Sequence, residues 1–300
     1  MFDVLALGAV AIDQLVYVDA YPPPNTKSHV LRSEQQCGGL SATALVAAAR
    51  LGARCAYAGM LSDDEPSRFV KDAMSHDGID LAHVAYQDSA GPGRSVIIVG
   101  ERGHTRNIFP EHPKFSGAHP SLPDADVICT TRVLHVDHLG VDGMLRAAHI
   151  AREAGIPVVS DVERDDSPRF AKLLALVDHV VMSEEFAAEL FGITDARDAV
   201  LRLWSPTRAA VAVTSGEAGC YFTDDGRHVA HQPAFNVTVV DTTGCGDVFH
   251  GAYCAALAEG MPLAARIRLA SAAAALKATK QGAQAGAPTR AQVEKMLTTG

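Results

Sequence analysis

The chain has 300 residues, 48% of them hydrophobic and 20% charged, with a formal net charge of −9. Such a length supports a large core in one α/β unit, and the acidic balance argues against nucleic-acid and anionic-membrane partners. Six cysteines (Cys37, Cys55, Cys129, Cys220, Cys245 and Cys254) are scattered without a Cys-x-x-Cys pair, which argues against structural zinc or a disulfide framework and for a reducing, cytoplasmic setting.

Met1 leads straight into an apolar strand, Val4–Gly8, so no signal peptide is expected, and no apolar run is long enough to span a bilayer. A helix over Leu40–Leu51 follows Gly38-Gly39, then a strand Arg54–Met60 and a helix Ser67–His76. Further strands are read at Asp126–Cys129, Val133–Asp137, Pro157–Ser160, His179–Met182 and Ala209–Thr214. The later helices are Asp142–Ala154, Ser167–Leu176, Glu184–Phe191, Ala196–Leu203, Gly246–Glu259, Pro262–Thr279 and Thr289–Leu297. Apolar strands separated by helices predict βαβ units in a mostly parallel sheet covered on both faces, with ligands beyond the strands' carboxyl ends. Two strand pairs break the rhythm: Gln14–Ala20 with Ser28–Arg32, and Ser95–Glu101 with Thr105–Phe109. They read as a small separate sheet, a lid over about 14–34 and 94–110 that closes over a substrate and excludes water.

The string Asp241-Thr242-Thr243-Gly244-Cys245-Gly246-Asp247 precedes a small-residue helix. Glycines at a helix start expose N–H groups, and the helix dipole favours an anion there. A carboxylate beside such a hole repels the anion. It makes sense as a base that takes a proton from an attacking hydroxyl. The helix start also predicts a lowered thiol pKa at Cys245.

Competing motifs are absent. There is no P-loop, no dinucleotide fingerprint and no Gly-x-Ser-x-Gly elbow. Strand alternation puts His135 and His138 on opposite faces, against a shared metal. Asp137 and His138 are expected to line a pocket at a strand's carboxyl end.

The 241–247 string resembles the Asp-Thr-x-Gly-Ala-Gly-Asp motif of the ribokinase-like (PfkB) sugar kinases, with Cys245 in place of Ala. The likeness runs through the chain: Val4–Gly8 leading to Asp13, Gly38-Gly39 opening a helix that closes at Gly52, Val211–Gly219, and Ala270 through Ala283. Thr43 stands where the family often has Asn. Ser183-Glu184-Glu185-Phe186 stands where many relatives carry Asn-x-x-Glu. Ala42-Thr43, His231–Phe235 and Phe249–Gly251 are similar to the sulfofructose kinases. That branch implies a sulfonate held by Lys27, which is present, and by an Arg near position 138, where this chain has His.

The resemblance implies an ATP-dependent kinase, with a ribokinase-like fold, acting on a primary hydroxyl of a small sugar or sugar derivative. It implies Asp247 as base and the N–H groups of Gly244, Cys245 and Gly246 around the transferring phosphoryl group. Asp13, Lys27, Gly38, Gly39 and Thr43, with Asp137 and His138, would hold the sugar. Thr214, Gly216, Gly219, Ala274, Gly282 and Ala283 would hold ATP. Either Glu184 or Glu185 would reach Mg²⁺ through water, or the triphosphate and water would hold the ion themselves, and Asp241 and Thr243 would serve a monovalent cation such as K⁺. A homodimer through the lid is a further implication. Two other readings stay open at this point: a nucleoside kinase of the same fold, and a sugar sensor that lost turnover.

Overall fold

The computed structural model describes residues 1–103 and 105–299. In chain order the first half comprises β1 (Phe2–Ala6), β2 (Ala11–Val18), β3 (Arg32–Gly38), α1 (Leu40–Arg50), β4 (Cys55–Tyr57), β5 (Met60–Leu61), α2 (Glu65–His76), β6 (Ala85–Tyr86), β7 (Gly93–Gly100), β8 (Thr105–Glu111), α3 (Ala125–Cys129), β9 (Thr131–Val136) and α4 (Val141–Glu153). Then follow β10 (Val158–Asp161), α5 (Phe170–Leu176), β11 (His179–Ser183), α6 (Glu184–Phe191), α7 (Ala196–Leu203), β12 (Ala210–Thr214), β13 (Cys220–Thr223), β14 (Ala230–Gln232), α8 (Cys245–Ala258), α9 (Leu263–Ala278) and α10 (Arg290–Thr299).

Among the described residues the strands form an eight-stranded sheet in the order β14-β13-β12-β11-β10-β9-β1-β4. It is parallel from β12 to β4; β13 and β14 pair antiparallel at one edge. Strand alternation divides the core between its two faces. Val4, Val133, Val159 and Val181 face α1, α8 and α9, whereas Leu5, Leu134, Val158 and Val180 face α4 to α7. Helix starts are fixed by side-chain caps: Asp64 accepts from the Ser67 N–H, Ser183 from Phe186, and Asp195 from Arg197 and Asp198. Among the described residues no helix is long and apolar enough to cross a membrane.

The small sheet has the order β3-β2-β7-β8. Its two antiparallel pairs join through a parallel β2–β7 pairing over Ala11–Val18 and Gly93–Gly100. It therefore begins earlier than the expected span, at Ala11.

Three expectations need correction. Ser28–Arg32 is not the partner strand; that strand is Arg32–Gly38, whose polar sequence hides it from a search for apolar alternation. Asp126–Cys129 lies in the short helix α3, closed by the Thr130 N–H donating to the Asp126 carbonyl at 3.1 Å. An apolar run that short carries no usable period. Arg54–Met60 breaks into β4 and β5. The break accommodates Tyr57, whose hydroxyl donates to the Gly8 carbonyl at 2.9 Å; a Cβ on Gly59 would stand 2.2 Å from that hydroxyl. The antiparallel edge strands β13 and β14 were not anticipated.

Candidate active site

The parallel strands end together on one side, and α1 and α8 begin there. Gly244 precedes α8 with φ of 78°, in the left-handed region, and a Cβ on it would stand 2.6 Å from the Ala283 Cβ. Glycine is needed for both reasons. A Cβ on Gly246 would meet nothing within 4 Å, so the helix start opens onto free space. The Cys245 N–H donates to the Thr242 carbonyl at 3.1 Å. Of the three N–H groups expected around an anion, it alone is engaged within the turn; among the described residues Gly244 and Gly246 have no such bond.

Asp241 ties this turn to the loop after α9. Its carboxylate accepts from the Thr243 N–H and the Gly282 N–H, both at 2.9 Å. Burial alone would raise its pKa, but those bonds, the Thr243 side chain and the Lys277 ammonium hold it below the usual carboxylate value. Lys277 is fully buried.

Asp247 is the third residue of α8 and is half-buried. Its pKa is pushed well above the usual carboxylate value, by removal from water first and then by Asp161, Glu163 and Asp137; Lys277 works against the shift. Beneath it lies a buried polar cluster. His250 is bonded through Nδ1 to the Gly246 carbonyl at 2.8 Å, and that nitrogen lies 3.4 Å from Asp161 Oδ2. His135 Nε2 lies 3.7 Å from the same oxygen. Burial would raise Asp161, but His250 and His135 bring it below the usual value.

Asp137 is fully buried rather than lining open space. Its carboxylate accepts from the Ala9 N–H at 2.5 Å, Ser41 Oγ at 3.0 Å and the Leu139 N–H at 2.8 Å. Gly8 makes room for it: a Cβ there would stand 1.8 Å from Asp137 Oδ2. Burial raises the Asp137 pKa. His138, half-buried, lines an open cleft of about 480 Å³ with Gln87, Phe115 and His119.

Asp13 sits on β2 opposite Gln36 and Ser95, half-buried, and a Cβ on Gly38 would approach its Oδ2 at 3.3 Å. Gly39, with φ of 92°, starts α1 where a Cβ would stand 2.6 Å from the Val10 Cα. Thr43 points into the core with its hydroxyl buried and unpartnered. Lys27 is exposed in the connection between β2 and β3. The loop after α9 joins this side to the α8 start: Gln284 donates to the Gly38 carbonyl at 3.4 Å, and Gln281 to the Tyr17 hydroxyl at 3.2 Å.

Thr214 ends β12, its hydroxyl 3.5 Å from the Met182 carbonyl. Gly216 and Gly219 form the tight turn that follows, closed by the Ser215 N–H donating to the Gly219 carbonyl at 2.8 Å. Gly282 and Ala283 are buried beside Gly244, and Ala274 is half-buried on α9. Glu184 is half-buried and Glu185 exposed in the first turn of α6, behind the Ser183 cap.

One electrostatic expectation is reversed. The Cys245 thiol is raised above its ordinary value, because burial and the nearby Asp241 and Asp247 charges outweigh Lys277. Sequence reasoning missed Asp161, Glu163, His250 and Lys277. The first two follow a strand whose carboxyl end was already expected to face ligand. Lys277 carries no local signal, since a lysine in the last turn of a helix is ordinarily a solvated one.

The family model described as "pfkB family carbohydrate kinase" matches residues 1–290. Fructokinase-1 of Oryza sativa subsp. japonica is 30% identical over 286 residues, 87% of this chain and 88% of its own. A protein of Agrobacterium tumefaciens, provisionally described as a ribokinase, superposes with a TM-score of 0.89 at 32% identity, covering 98% of this chain and 97% of its own. Ribokinase of Arabidopsis thaliana, solved with ribose and ATP, shares the fold at a TM-score of 0.88 and 22% identity, over 99% of each chain.

Proposed function

The chain belongs to the pfkB family of carbohydrate kinases and is an ATP-dependent sugar kinase, and from that premise we propose that it phosphorylates a primary hydroxyl of a small fructose-like ketose or sulfo-sugar, with Asp247 as the base. The observation that carries this reading is the half-buried Asp247 in the first turn of α8, beside the open N–H groups of Gly244 and Gly246. Its raised pKa suits a base that must accept a proton near neutrality. In the step, the sugar O–H bond breaks with its proton passing to Asp247. The freed oxygen bonds to the γ-phosphorus, and the bond from phosphorus to ADP breaks. The helix start faces the charge on the transferring group.

Asp13, Gly38 and Gly39 hold the sugar hydroxyls on this reading, and the small sheet closes over them as a lid. Gly38 brings backbone close to Asp13, and Gly39 lets α1 start against the Val10 backbone just before β2, the strand that carries Asp13, which supports a sugar seat there. Thr214, Gly216, Gly219, Gly282 and Ala283 border ATP. Mg²⁺, bound with ATP, would screen the phosphate charge, and Glu184 or Glu185, both in the first turn of α6, would reach it through water. Lys27 would read an anionic end of the sugar.

ADP release measured over ribose, fructose, 6-deoxy-6-sulfofructose and nucleosides tests the reading. Turnover on a ketose or sulfo-ketose well above the others supports it. Turnover confined to nucleosides, or none on any ketose, overturns it.

A further inference from the structure

Lys277 is fully buried at the end of α9, its stem packed on Gly286, where a Cβ would stand 3.0 Å from its Cδ. A buried ammonium persists only when oxygen atoms replace its water. Here they do: Nζ donates to the main-chain carbonyl of Asp241 at 2.7 Å and to that of Lys280 at 3.2 Å, and lies 3.7 Å from Asp241 Oδ2. Two carbonyls and a carboxylate, from two separate loops, make an oxygen cage of the kind that suits a monovalent cation. The same cage joins the turn before α8 to the loop carrying Gly282 and Ala283. The Gly282 N–H on Asp241 Oδ2 and the close approach of Gly244 to Ala283 complete the seam.

We infer that Lys277 is a tethered cation: its ammonium occupies the place of a free monovalent ion and holds the Asp241–Asp247 turn in its anion-binding shape. Asp241 and Thr243 therefore do not fit an added K⁺ while Lys277 is in place. The ammonium offers three N–H donors to the oxygens that a metal ion would take. It supplies positive charge at the α8 start without depending on the ionic composition of the medium, and it opposes the upward shift of both Cys245 and Asp247. Lys277 acts through the turn and is a positioning residue. The inference rests on reading that turn as the phosphoryl site.

The test compares wild type with Lys277→Met in tetramethylammonium buffer, then with KCl or NH₄Cl added at constant ionic strength, reading both turnover and melting temperature. Wild-type turnover should not respond to K⁺ or ammonium. The variant should lose roughly 10- to 100-fold in turnover, the worth of charged hydrogen bonds in a closed site. Potassium or ammonium, but not tetramethylammonium, should restore the rate and raise its melting temperature. Strong stimulation of wild type by K⁺, undiminished turnover in a folded variant, or a loss that no small cation restores in rate or in melting temperature would each overturn the inference. Should Lys277→Met not fold, Lys277→Gln with the wild-type arm decides. The melting readout needs no sugar, so failure to phosphorylate any sugar counts against the proposed substrate and leaves the cation result standing.

Discussion

Gly251 of α8 lies directly against Ala44 of α1: a Cβ on Gly251 would stand 2.0 Å from the Ala44 carbonyl oxygen. The two helices start at Gly39 and Gly244, so their crossing sets the spacing between the proposed sugar seat and the proposed phosphoryl site. Small residues on both helices, including Ala47, Ala48, Ala252 and Ala255, permit this approach.

Gly251→Ala should therefore force the helices apart. The expected destabilisation is about 1–3 kcal/mol, the usual cost of overpacking against unyielding backbone. Urea unfolding gives the value, and an unchanged midpoint would show that the crossing tolerates a methyl group.

Asp247→Asn should raise the melting temperature at neutral pH. The native carboxyl titrates above its unfolded value, so its charged form disfavours the fold above the native pKa, and that penalty vanishes below the unfolded value, about pH 4. The gain should shrink as pH falls through this window. Calorimetry across pH measures it; a variant less stable at neutral pH would contradict the assigned shift.

Cys245 should alkylate slowly at neutral pH, since burial raises its thiol. The iodoacetamide rate should keep climbing above the ordinary thiol range, and ATP should protect. Cys245→Ala should stay active and resist inactivation. Fast alkylation near neutrality at this position would show that the helix start wins over burial.

Lys27→Ala should cost roughly 10- to 150-fold in kcat/KM on an anionic sugar if its ammonium reads that charge, and little on the neutral parent. Equal losses on both would mean that Lys27 acts through the small sheet.

Much of the fold was legible because the β9–β12 strands are rich in apolar residues and α2, α6 and α7 carry side-chain caps. What escaped had physical reasons. The polar strand Arg32–Gly38 is held by pairing with β2 rather than by burial of alternate side chains. The helix Ala125–Cys129 is too short for its period to register. At the site, Asp247 and Gly244 were visible as local chemistry. The Asp161–His250 cluster and Lys277 depend on contacts across 89 and 36 residues of chain, from Asp161 to His250 and from Asp241 to Lys277. The thiol of Cys245 was misjudged because the helix start is a local feature and burial is not.

The most direct test of the central claim is ADP release by wild type and Asp247→Asn on the best ketose of the panel, with ATP and sugar binding measured separately. Loss of positioned proton transfer should lower turnover by roughly 10²- to 10⁴-fold while both ligands still bind. In wild type the rate should fall on the acid side with a pKa above the ordinary carboxylate range, as the raised native value requires. A folded Asp247→Asn enzyme that turns over at nearly the wild-type rate would contradict the account.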